Sequence, residues 1–389
     1  MKIIGDKLRT ARQIRNKTIT QLAKEIEVSK QAVSQFEAGS SEPKGETIFR
    51  IVKSLSFPLQ YFTIENHETM NVSHTFFRAL LSTSALEKNS YIEKSKLVVQ
   101  IYDYLSEKLE FPSINLPRYN IPDFIDLDSM EQLTQQVREY WKLGNGPIWN
   151  VIDVLEQNGF IVSVLKHDSV KIDGFTQIDV HDGIQRFCVM LENEKKSMAR
   201  RNFSAAHELG HIILHSGLPM SDLDNTDKAE QEIQANLFAS CFLLPKDQFI
   251  RDLKSPLDYD YYLGLKRKWH VSIKAMFNRA YRLDLINYDE YVTLLKKYNY
   301  RMSRDNAPGE KLEPYDNIIS VEKPQLFETA FEMLFDNDVV TLDSLWTEMA
   351  EWGLALDEEL ICDILPLEDN FFSKYYIPKA PLKINFKNS

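Results

Sequence analysis

The sequence predicts a mainly α-helical chain with a small β-sheet, an α+β protein whose all-α head of five helices precedes a mixed domain and further C-terminal helices. Three observations predict it. Leu22, Ala23, Ile26, Val28, Val33 and Phe36 recur at helical spacing near the N-terminus. Short apolar runs at 161–164 and 186–191 have the length and composition of strands. Helical patterns return at Leu326 to Phe335 and Leu342 to Trp352.

A chain of 389 residues with 43% hydrophobic content exceeds one typical domain and can fill several cores. The expected division is a head at 1–63, a helical linker or spacer at 64–135, a central domain at 136–300, and a C-terminal accessory or sensing region at 301–389. Lys2, Asp6, Lys7 and Arg9 replace the apolar stretch of a signal peptide, and no apolar run is long enough to span a bilayer, so a cytoplasmic protein is expected. Cys188, Cys241 and Cys362 are far apart and lack metal-type spacing, which reads as buried free thiols without chemistry.

In the head, Thr20 to Gly39 reads as two short helices joined by a turn. The six apolar positions pack them together, with Ala23 small where they cross. Ser29 caps the second helix and Gly39 ends it. Its exposed face carries Lys30, Gln31, Ser34 and Gln35, side chains that donate to phosphates or read base edges. Gln21 and Ser29, at the helix starts, complete the expected DNA-contacting set. Residues 1–63 hold eleven Lys and Arg against six Asp and Glu, net +5, which leaves −16 for the rest of a chain of net −11. A basic head on an acidic body directs the head to phosphates and keeps the body off them. This helix-turn-helix resembles the XRE, or lambda-repressor-like, family. Glu42-Pro43 and Leu55-Ser56-Phe57-Pro58 continue the resemblance to about residue 63, and it implies a double-stranded DNA operator and a homodimer.

Tyr91 to Leu109 is expected to form a long helix, a spacer or a dimer surface. A helix from Pro147 to Asn158, a strand at 161–164, a turn at Asp173-Gly174 and a strand at 186–191 follow. Either 185–191 or 174–178 could supply an edge strand that pairs with an extended peptide, the alternative being an ordinary paired strand.

The stretch Ala206-His207-Glu208-Leu209-Gly210-His211 carries the chemistry. On a helix, H-E-x-x-H sets two imidazoles one turn apart with a carboxylate beside them, a zinc-hydrolase arrangement. Ser204-Ala205-Ala206 opens that helix, and Ile212, Ile213 and Leu214 give it a buried side. His215 lies eight residues past His207, about 12 Å along the helix, too far to share one ion, and reads as structural or supporting. A third ligand must come from a later element. On the helix expected from Glu230 to Pro245, Glu232 is preferred to Glu230 on spacing, and Asn236 shares its face, placed to orient a ligand histidine.

Residues 201–215, followed by Glu232 to Pro245, resemble the ImmA/IrrE family of zinc metallopeptidases. The resemblance extends more loosely to Trp141-Lys142-Leu143-Gly144, Leu155 to Gly159 and Leu265 to Met276. It implies a zincin-like domain holding one Zn²⁺ per chain by His207, His211 and Glu232, with Glu208 as general base. Gln234 departs from the family, which often has a second glutamate there, but is not expected to touch the ligands. The oxyanion donor is unassigned, with His181, His270 and several tyrosines as candidates. Phe371-Phe372 and Tyr375-Tyr376 are read as an adhesive tail or as internal packing.

The functional expectation is a DNA-binding regulator with a zinc endopeptidase of latent or open activity. It would cleave a repressor-type regulator or itself in a stress, mobile-element or toxin–antitoxin response. The alternative is a non-proteolytic repressor or antitoxin whose metal domain senses a signal or binds a partner.

Overall fold

A small twisted sheet separates two hydrophobic cores, and the alternation of side chains along its strands assigns each residue to one of them. The computed structural model describes residues 2–65, 72–77, 84–119, 121, 125–165, 174–181, 183–192, 197–216, 225–306 and 312–376. The expected turn residue Asp173 lies outside them.

The head consists of α1 (Gly5–Ile14), α2 (Ile19–Glu25), α3 (Lys30–Glu37) and α4 (Gly45–Leu55), closed by a 3₁₀ turn at Leu59–Phe62. The fifth expected helix is therefore that single 3₁₀ turn. Next come β1 (Val72–Phe77), the long α5 (Ala85–Ser106), α6 (Leu127–Tyr140), α7 (Val151–Gln157), β2 (Ile161–Leu165), β3 (Gly174–His181) and β4 (Ile184–Glu192). The remaining helices are α8 (Met198–His215), α9 (Asn225–Leu243), α10 (Lys246–Asp252), α11 (Tyr259–Trp269), α12 (Ile273–Arg282), α13 (Tyr288–Asp305), α14 (Leu326–Asp336), α15 (Leu342–Glu351) and α16 (Glu358–Ile364). A 3₁₀ turn at Phe371–Tyr375 ends the described chain.

The strand order is β1-β3-β4-β2, with β2 parallel to β4 and the other pairs antiparallel. Of the two readings of these segments, the ordinary paired strand holds and the edge strand does not. β4 lies inside the sheet, and β3 is paired on both sides because β1 covers its outer edge.

Ile161, Leu165, Phe175, Cys188 and Met190 face the first core, which also contains the head, α5 and the C-terminal helices. Val162, Val164, Ile178, Phe187, Val189 and Leu191 face the second core, built on α6 to α13. The period of two along a strand makes this two-sided use possible. All three cysteines are free and buried.

The C-terminal region packs on the head and the sheet. Lys7 Nζ donates to Gly353 O at 2.7 Å, and Ser163 Oγ donates to Ile364 O at 2.5 Å. Phe371 and Phe372 are buried against Phe331, Phe335 and Trp346, so this pair is internal packing and not an adhesive tail.

Candidate metal centre and nucleic-acid interface

Helices α8 and α9 pack closely because Gly210 lacks a side chain. A Cβ at that position would lie 3.1 Å from Phe238 and 3.2 Å from Ala235 Cα, tighter than ordinary contact. This close crossing carries Glu232 of α9 to the histidine face of α8. His207 Nε2 and His211 Nε2 lie 3.0 Å apart, and the Glu232 carboxylate oxygens stand 3.2 Å from His211 Nε2 and 3.5 Å from His207 Nε2.

Two nitrogens bound tetrahedrally to zinc at about 2.0–2.1 Å would be about 3.3 Å apart, so three donors at 3.0–3.5 Å fit one ion. Among the described residues, this is the one group of three such side chains gathered closely enough for a metal. Burial raises the Glu232 carboxyl, but hydrogen bonds and attraction from the two histidines outweigh it and hold the group at about 2. The carboxylate is thus ionised, as a ligand must be.

The structure adds a supporting relay that the spacing did not reveal. His211 Nδ1 is 3.1 Å from His215 Nδ1, His215 Nε2 is 2.9 Å from Gln234 Oε1, and Gln234 Nε2 donates to Glu230 at 3.3 Å. Gln234 accordingly touches none of the proposed ligands, as expected, but stands two contacts from one of them and takes part in its support. Glu230, the rival ligand, ends the relay instead of joining the metal group. Asn236 is also corrected, since its Nδ2 donates to the main-chain oxygen of Glu232 at 2.8 Å and orients that residue, not a histidine. Burial lowers His215 to about 4, which keeps its ring neutral for the relay.

Glu208 turns toward the sheet. Thr176 Oγ donates to its Oε2 at 2.9 Å, and a Cβ on Gly174 would come within 3.2 Å of its Oε1. Glu208 is buried, 2% exposed, between α8 and β3. Of the suggested oxyanion donors, His270 packs on Trp149 at 4.0 Å between ring centroids, and His181 ends β3 at the opposite end from Gly174.

In the head, Leu22, Ala23, Ile26 and Val33 are buried, while Val28 and Phe36 are partly buried against the same core. Ser29 caps α3 by accepting from Ala32 N at 3.1 Å, and Gly39 follows the helix with φ +67°. Lys30, Gln31, Ser34 and Gln35 are all exposed on α3. Gln21 closes a capping box, its Oε1 accepting from Thr18 N at 2.8 Å while Thr18 Oγ1 accepts from Gln21 N at 3.1 Å. Behind α3, Arg12 holds buried Glu37 through two hydrogen bonds of 2.5 and 2.9 Å.

No described helix is long and apolar enough to cross a membrane. No curated protein matches the chain. Residues 8–62 match the family model described as helix-turn-helix, which points to DNA-binding regulation. Residues 163–281 match that of the IrrE N-terminal-like domain, a metallopeptidase-like domain whose family is generally zinc-dependent. The chain thus joins, in one polypeptide, a helix-turn-helix segment and an IrrE N-terminal-like segment, the fusion that its motifs resemble.

Proposed function

We propose that this protein is a DNA-binding regulator whose central domain is a zinc-dependent endopeptidase acting in the cytoplasm on a repressor-type regulator or on its own chain. The observation that carries the reading is the buried Glu208 carboxylate directly following the first of three side chains gathered for one metal ion. A purely structural metal site needs no general base beside it.

His207, His211 and Glu232 would hold the zinc, which when bound supplies Lewis acidity that polarises a peptide carbonyl and acidifies a neighbouring water. Glu208 takes the proton from the attacking water and returns it to the leaving amine. Thr176 orients Glu208 by one oxygen, and the bare Cα of Gly174 leaves room for the other. His215 and Gln234 fix the ring of His211, and Asn236 steadies the backbone of Glu232. Lys30, Gln31, Ser34 and Gln35, with Gln21 and Ser29 at the helix starts, form the DNA-facing surface of a homodimer.

One observation favours a second reading. The outer edge of β3, beside Glu208, is paired with the chain's own residues 72–77, so an incoming peptide meets an occupied edge. This supports latent activity, or a regulator whose metal domain serves binding or sensing. Comparison of new protein N-termini in cells expressing wild type or Glu208→Gln separates the readings. Cleavage should fall at least about a hundredfold in the variant while zinc and DNA binding persist. A variant that still cuts would refute the role of Glu208, and no new terminus from zinc-loaded wild type would give the second reading the lead.

A further inference from the structure

A cavity of about 510 Å³ opens between α8, α9 and α12, one helical turn from the metal group on both of its helices. Phe203 and Ser204 line it from the turn before His207, and Asn236 lines it from the turn after Glu232. The Phe203 ring stacks toward that of His207 at 6.5 Å between centroids. One turn is about 5.4 Å, a separation that the side chain flanking a bound peptide bond spans, since residues of an extended chain advance by about 3.3–3.6 Å.

The charge of this cavity runs against that of the molecule around it. Arg200, Lys274 and Arg282 line it, and none of its lining residues is Asp or Glu, although the chain outside the head carries net −16. Arg282 is steadied by donating from Nε to Asn278 Oδ1 at 2.9 Å. Ser272 caps α12 at the cavity wall, so the positive end of that helix adds to the cations. A duplex cannot enter a space of this size, and the DNA-facing surface lies on the head.

We propose that this cavity is a specificity subsite that receives an acidic side chain, Asp or Glu, of a peptide substrate. The proposal rests on the peptidase reading for the peptide, and on the cavity's own charge for the acidic residue.

The test uses full-length Glu208→Gln protein, zinc-loaded and immobilised, exposed to a pool of random peptides whose retained members are sequenced. Asp and Glu should be enriched at one position by roughly three- to fivefold, as expected for partly exposed charge pairs. Adding Lys274→Glu and Arg282→Glu, both on exposed positions, should abolish that preference or turn it toward Lys and Arg. Retention with no acidic preference, a preference unmoved by the reversal, or no retention at all would each overturn the subsite. Cleavage by wild type is scored separately. Acidic enrichment without cleavage keeps the subsite and removes the peptidase reading, and cleavage without acidic enrichment does the reverse.

Discussion

With zinc bound, His211 would present its Nε2 lone pair to the ion, and the proton order that allows this is set elsewhere. The amide of Gln234 donates to Glu230, so its oxygen faces His215 and accepts the Nε2 proton of that ring. His215 Nδ1 is then the acceptor for His211 Nδ1–H, which would leave His211 Nε2 as the ligand nitrogen once zinc replaces its contact with Glu232. This assignment follows from satisfying every donor in the chain. Gln234→Leu removes the acceptor and frees the His215 tautomer. Zinc affinity, read by competition with a chromogenic chelator, should fall about tenfold or more. An unchanged affinity would show that the relay is incidental.

At the scale of elements, the metal group depends on one helix crossing. Two of its donors stand on α8 and the third on α9, so the distance between the helices decides whether the three meet. Gly210 sets that distance through its contacts with Ala235 and Phe238. Gly210→Val should force the helices apart and cost about 1–3 kcal/mol of stability, with loss of zinc binding at neutral pH. Calorimetry and metal analysis of the same sample check both effects. Full zinc occupancy would mean that the crossing tolerates the bulk. The same element scale explains the sheet. β1 reaches β3 from the head side of the chain, and this long-range pairing turns the anticipated edge strand into an interior one.

At the scale of the whole molecule, the head shares its core with distant parts of the chain. Leu8 and Ile14 of the head, Ile101 of α5, and Phe331 of α14 belong to one continuous cluster. Arg15 reaches Asp357 at 3.4 Å, and Lys7 reaches Gly353, so polar contacts cross the same junction. Stability should therefore pass from the C-terminal helices to the head. Phe331→Ala, at a fully buried position, is expected to cost about 3–5 kcal/mol. Hydrogen exchange should show a loss of that order at the most protected amides of α1. Protection of α1 left intact would show that the head folds independently of α14. The α3 surface stays exposed in this arrangement, so a stability signal can reach the helix proposed to face DNA without covering it.

Local order was written in the sequence wherever one segment contains its own reasons. Helix α3 was legible from its apolar period, from Ser29 at its start and from Gly39 after its end, and all three features stand in the structure. The pair His207 and His211 was legible because one helical turn brings i and i+4 together without help from other elements. Glu232 needed a second helix, and its place beside the two histidines appears only where α8 and α9 pack. Gln234, the basic cavity and the strand partner of β3 were beyond local reading. Each joins residues that are far apart in sequence, and the free energy that unites them comes from burying apolar surface in two separate cores. Sequence by itself determined the modules and the chemical types at their centres, because backbone periodicity and capping act within a few residues. Tertiary structure alone decided which side chains support the metal group, what covers β3 and how the head meets the C-terminal helices, because those contacts exist only once the elements pack.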